Sequence, residues 1–218
     1  MITRIGMAPR LPHMTPQEAL DHWRTSHADA AGAIPGLRRY VQLHPVLREG
    51  RPLLPYPGFD ACSLLDFDSV EEMDAGFASP TYRSSVRDDE DRFVDKKRFS
   101  MALTSKMTLV EPPSEGGTIL AQFLRVHASS TAERLHEQLA APGEAASEVR
   151  GHVLYLPLPA GERRPVDTFD AVDLRWFDSP DEALSWVLDP MKGGAARLAL
   201  AGLAGTTEHL IATPFTVV

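Results

Sequence analysis

One thirteen-residue segment occurs twice in this chain, the second time 110 residues after the first. Asp60-Ala61-Cys62-Ser63-Leu64-Leu65-Asp66-Phe67-Asp68-Ser69-Val70-Glu71-Glu72 returns without a gap as Asp170-Ala171-Val172-Asp173-Leu174-Arg175-Trp176-Phe177-Asp178-Ser179-Pro180-Asp181-Glu182. The opening Asp-Ala, the Leu, Phe-Asp-Ser and the closing Glu are identical. The chain has 218 residues, so the offset is about half its length. Whatever unit holds this segment is therefore built twice. Each copy ends an apolar strand, then supplies a serine N-cap whose Glu partner follows three residues later. The ends agree, since Met107-Thr108-Leu109-Val110 and Phe215-Thr216-Val217-Val218 are both strand-like. Between them Glu111-Pro112-Pro113-Ser114-Glu115-Gly116-Gly117 reads as a linker. The division predicted is residues 1–111 and 117–218.

Each half reads as β-α-β-β-α-β, the ferredoxin-like split unit. In the first, Ile2–Ala8 is a strand, and Thr15, Pro16 and Glu18 cap a helix that runs to about Ala33. Strands follow over Leu37–Val46 and Phe59–Phe67, then a helix from Ser69 to Pro80, helical chain over Tyr82–Asp95 and a strand over Met101–Val110. The second half has strands near Thr118–His127, Gly151–Leu158, Thr168–Phe177 and Glu208–Val218. Its helices fall near Ser130–Ala141, Ser179–Leu188 and Lys192–Leu203. A four-stranded sheet with helices on one face leaves the other face bare. Two such antiparallel sheets packed face to face bury both, so the expected fold is an α+β barrel of two tandem ferredoxin-like units.

The bulk numbers exclude several classes. A formal net charge of −8 with no Lys/Arg run argues against a nucleic-acid partner. The single cysteine, Cys62, permits neither an intrachain disulfide nor a cysteine metal cluster. No apolar run approaches the roughly 18 residues of a membrane span, and the opening residues do not resemble a signal peptide. A cytoplasmic protein is expected by elimination. Phosphate loops, Walker sequences and nucleophile elbows are absent, so neither a cofactor nor a metal is expected.

The candidate chemistry lies in the first half. At about 100° per residue, Pro16, Leu20, Trp23, His27, Ala31 and Ile34 form one stripe that must face the sheet. His27 is then an imidazole among apolar groups, either a packed residue with one satisfied nitrogen or a base near neutral pH. His22 falls about 140° away on the same wheel, so the two histidines do not form a simple metal pair. Strand alternation puts Leu37, Val41 and Leu43 on one face, expected under the helices. It puts Tyr40, Gln42 and His44 on the other, expected to line the barrel interior. That polar row is either a ligand-orienting wall or an interdomain contact. Tyr82, at a helix restart, is placed to close over a pocket. The acidic run Asp88-Asp89-Glu90-Asp91 reads as a solvated helix face.

Met14-Thr15-Pro16-Gln17-Glu18, His22-Trp23-Arg24, His27-Ala28 and Pro35-Gly36-Leu37-Arg38-Arg39-Tyr40-Val41-Gln42 together resemble the EthD family. Phe67-Asp68-Ser69, Ser79-Pro80 and Phe93-Val94-Asp95 fit it as well. The resemblance covers about residues 1–110, and the second half resembles a diverged copy without the His-Trp-Arg-x-x-His helix. It implies the dimeric α+β barrel superfold, whose members include cofactor-independent isomerases, cyclases, decarboxylases and monooxygenases, and also haem enzymes. It leaves room for a homodimer. The function expected is a cofactor-independent lyase or isomerase acting on a small hydrophobic, oxygenated or polyketide-like aromatic compound. His27, His22, His44 and Tyr40 would carry the acid-base chemistry, and Trp23, Gln42 and Tyr82 would bind the substrate. The alternative is a non-catalytic small-ligand carrier or accessory protein of a catabolic oxygenase system. In either case the second unit is expected to pack its own apolar side chains where the first holds a cavity.

Overall fold

The computed structural model describes residues 1–140, 149–159, 169–189 and 202–218. The expected third helix of the second half, Lys192–Leu203, lies almost entirely outside them. The described residues form ten strands: β1 (Ile2–Ala8), β2 (Arg39–Pro45), β3 (Leu47–Arg48), β4 (Arg51–Pro52), β5 (Ala61–Phe67), β6 (Ser100–Val110), β7 (Thr118–Val126), β8 (Gly151–Pro157), β9 (Ala171–Phe177) and β10 (Ala204–Thr216). β3 and β4 form a small separate hairpin, and the other eight close an antiparallel barrel in the order β1-β5-β2-β10-β7-β9-β8-β6. Within it β6-β1-β5-β2 and β10-β7-β9-β8 repeat one pattern, fourth strand, first, third, second. The halves also join edge to edge, β2 to β10 and β6 to β8, so every barrel strand has two hydrogen-bonded neighbours.

The repeated segment does the same backbone work in each copy. Asp60 accepts a hydrogen bond from the N–H of Arg10, two residues past the end of β1, and Asp170 one from the N–H of Val126, the last residue of β7. Ser69 and Ser179 each accept the N–H of the Glu three residues on at 3.2 Å. Those caps start α3 (Val70–Ala78) and α6 (Pro180–Leu188).

Alternation divides each strand between two environments. Ile5, Met7, Val41, Leu43, Cys62 and Leu64 from the first half meet Ile119, Phe123, Val153, Tyr155, Val172 and Leu174 from the second inside the barrel. This reverses the expected orientation of β2. Its apolar row, Val41 and Leu43, points into the barrel, and its polar row, Tyr40, Gln42 and His44, points outward beneath the helices. Two sheets closing on each other shut water out of the barrel axis, so it takes the apolar row. The helix layer can offer backbone and side-chain partners to the polar one. Leu37 precedes β2 and packs on the helix side.

The first helical stretch comprises α1 (Pro16–His22), a π-helical segment (Trp23–His27) and α2 (Ala28–Gly32). Thr15 caps it with the full capping box, its hydroxyl accepting from Glu18 N–H while the Glu18 carboxylate accepts the Thr15 N–H. Gly36, at φ 79°, turns the chain into β2. Across from it lie a second π-helical segment (Tyr82–Val86) and the short α4 (Arg87–Glu90). The second half carries α5 (Ala132–Ala140) and α6. Among the described residues no helix is long and apolar enough to cross a membrane.

Candidate functional site

A cavity of about 390 Å³ lies between the outward face of β1, β5 and β2 and the helices of the first half. Arg4, Gly6 and Ala8 of β1, Ser63 and Leu65 of β5, and Tyr40 of β2 form its floor. Trp23, His27, Tyr82, Glu90, Phe93 and Phe99 are among the residues of its walls. The floor is open because Gly6 stands in register with Ser63 and has no side chain. A Cβ there would come within 2.7 Å of the Ser63 hydroxyl.

At one wall two histidines share a carboxylate. The Asp89 side chain meets His22 Nε2 at 2.9 Å with Oδ1 and His27 Nδ1 at 3.0 Å with Oδ2. A carboxylate only accepts, so each imidazole carries its proton on the nitrogen that faces Asp89. His27 Nε2 is then a lone pair with no protein partner among the described residues, on a side chain that lines the cavity. The 140° between the histidines on an α-helical wheel is narrowed by the wider turn of the π-helical segment, which brings His22 and His27 to the same side, where both reach Asp89. Phe93 packs against both rings at 5.0 Å between centroids. Burial lowers the pKa of His27, and the hydrogen bond and charge of Asp89 offset part of that. Asp89 corrects the expectation of a solvated acidic face. It is 7% exposed, while its neighbours Asp88 and Asp91 are exposed.

Tyr40 anchors a second network. Its hydroxyl oxygen accepts from Trp23 Nε1 and Gln42 Nε2, both at 3.0 Å. Gln42 also donates to the backbone carbonyl of Trp23, and its own carbonyl accepts from His44 Nε2 at 2.7 Å. Burial pushes the Tyr40 pKa up, so the phenol keeps its proton. His44 stacks on Trp23 on the side away from the cavity, with ring centroids 4.7 Å apart, and neither His44 nor Gln42 lines the cavity. The structure thus brings His27, Tyr40, Trp23 and Tyr82 to one cavity, ties His22 to it through Asp89, and holds Gln42 and His44 behind it.

Sequence reasoning passed over Asp89, Arg4, Glu90 and Lys96. Arg4 did leave a signal, being a lone charge in the middle of the apolar strand Ile2–Ala8. Asp89 left none, because its role depends on a helical irregularity that residue identities do not announce. In the second half the outward face is not filled by apolar groups alone. Gln122 faces Asp173 in register where the first half has Gly6 and Ser63. Asp173 contacts Arg175 at 3.0 Å and His152 at 2.8 Å, all three largely buried. Burial pushes the Asp173 carboxyl up, but Arg175 and His152 together hold it below the usual range.

Residues 11–97 match the family model of the EthD domain. Over this segment the chain is similar to the EthD family. The match takes in the paired histidines, Asp89 and most of the cavity wall. No curated protein matches the chain at a significant level. Among solved structures, an anthrone oxidase-like protein is similar at 12% identity and a TM-score of 0.65, covering 99% of this chain and 93% of that one. A proposed monooxygenase from Lactobacillus acidophilus NCFM is similar at 11% identity and a TM-score of 0.53, covering 100% and 94%. A chlorite dismutase from Candidatus Nitrospira defluvii is similar at 9% identity and a TM-score of 0.53, covering 99% and 92%. Identities this low show a shared α+β barrel. Beside this EthD-like segment, the second half of the chain completes that barrel.

Proposed function

We propose that the cavity of the EthD-like segment binds a small oxygenated aromatic molecule, and that His27 removes a proton next to one of its carbonyl groups. The observation that carries this reading is the His27–Asp89 pair. The carboxylate fixes the tautomer and steadies the imidazolium that forms, while burial keeps the resting imidazole neutral and able to accept. Tyr40 supports the same step. Its oxygen already accepts two hydrogen bonds, so its remaining proton is available to an oxyanion that develops in the cavity. Trp23 and Tyr82 offer rings against which a flat molecule packs. From the enolate, return of the proton to another carbon gives an isomerase, and expulsion of a β-hydroxyl group as water gives a lyase. Neither route needs a cofactor.

Anthrone is a suitable first substrate, as a carbon acid named by one structural relative. Its methylene is acidified by its carbonyl through the fused rings rather than by direct attachment. Exchange of its methylene protons in D2O, followed by NMR under anaerobic conditions, reads the proton transfer directly. His27→Gln should slow the catalysed exchange about 10²–10⁴-fold and leave anthrone binding intact. Asp89→Asn should slow it less. Equal exchange by wild type and His27→Gln would move the base elsewhere. Binding without any catalysed exchange would select the second reading, a carrier or accessory protein for an oxygenase system, which the mostly apolar cavity wall also suits.

A further inference from the structure

The charged residues around the cavity do not balance. Arg4, Arg87 and Lys96 line it against the single carboxylate of Glu90, in a chain whose formal net charge is −8. Glu90 is already engaged, accepting from the Tyr82 hydroxyl at 3.2 Å and pairing with Lys96 at 3.2 Å. Arg4 has no ion pair or hydrogen bond among the described residues. Its guanidinium carbon lies 4.6 Å from the ring centroid of Phe77 and 5.4 Å from that of Phe99. Two aromatic faces hold and partly compensate a cation, but they leave the N–H fork of the guanidinium unspent.

The repeat shows what is missing. Arg175, on the corresponding face of the second half, contacts the carboxylate of Asp173. The residue 110 positions before Asp173 is Ser63, which bears no charge and stands on the cavity floor opposite Gly6. The first half therefore has an arginine at the same depth, no carboxylate beside it, and open space in its place.

We infer that Arg4 is the anion-recognition residue of this cavity, and that its ligand carries a carboxylate, or an ionised phenolic or enolic oxygen, at the end that meets β1. The inference rests on the cavity being a ligand site, as proposed above, and adds the charge of what enters it. A planar fork is suited to a carboxylate in two-point contact. In the proposed reaction it would orient the acid and place its carbon framework against His27.

Two probes of equal shape test this by calorimetry, the anion 1-naphthoate and the neutral 1-naphthalenemethanol. Wild type should bind the anion more tightly. Arg4→Met should weaken naphthoate by about tenfold or more and change the alcohol by less than about twofold. Arg4→Lys keeps the charge without the fork, so it should recover part of the loss. If Arg4→Met fails to fold, Arg4→Lys and Arg4→Gln make the same comparison between charged and neutral side chains. Equal wild-type affinity for the two probes would overturn the role of Arg4 while leaving the cavity a ligand site. Equal weakening of both probes in the variants would reduce Arg4 to a packing residue. If wild type bound neither probe, both the inference and the cavity reading would fall.

Discussion

Burial lowers the pKa of two histidines in the first half of the chain, with different consequences. His27 faces the cavity and keeps the carboxylate of Asp89. His44 has no such partner, and burial, with a smaller push from Arg24, takes it down to about 4. Both are neutral in the folded protein near neutral pH, while in the unfolded chain each titrates near 6.5. Below that pH the unfolded state binds the proton first, so their contribution to stability is whole above about 6.5 and is lost as pH falls below it, for His44 down to about 4. Thermal melts at a series of pH values should show the midpoint falling through that window. His44→Phe should flatten the fall; an unchanged slope would assign the acid sensitivity to other groups. At this scale the sequence disclosed the histidines and hid their carboxylate. Asp89 sits in a run of four acidic residues that looks alike at every position, and only packing against His22 and His27 distinguishes it.

Periodicity made most elements legible. The predicted limits of β1 match those observed, and the serine caps of α3 and α6 sit where the repeat placed them. The caps can be compared directly. Ser69→Ala and Ser179→Ala should each cost about 1 kcal/mol, because each frees one N–H in a first turn that carries two acidic residues. Denaturant unfolding of the two variants measures this, and a large difference between them would mean that the halves share the motif without sharing its energetics. Two features escaped the pattern. A wheel drawn at a constant angle cannot register the π-helical segment at Trp23–His27, where one extra residue enters a turn without changing residue type. The face assignment of β2 failed because alternation separates two rows without saying which lies inside. Here closure of the barrel decided it, drawing Val41 and Leu43 to the axis.

The repeat made the paired barrel legible but not which edges join, since hydrogen bonding of β2 to β10 and β6 to β8 involves edges that carry no distinguishing residues. That closure supports a prediction about the units themselves. Residues 1–111, produced alone, would expose the interior face of Ile5, Met7, Val41, Leu43 and Leu64 and two unpaired strand edges. They should self-associate, and light scattering coupled to size exclusion should report a dimer or larger; a stable monomer would show that the unit does not need its mate. The intact chain needs no second copy to complete its sheet. In a barrel assembled from two identical subunits, any substitution is inherited by both sides of the axis at once. Here a change at position 63 leaves position 173 untouched. One side is free to keep an open floor and an uncompensated cation, while the other fills that floor and neutralises its own. Covalent joining has turned a symmetry constraint into a division of labour.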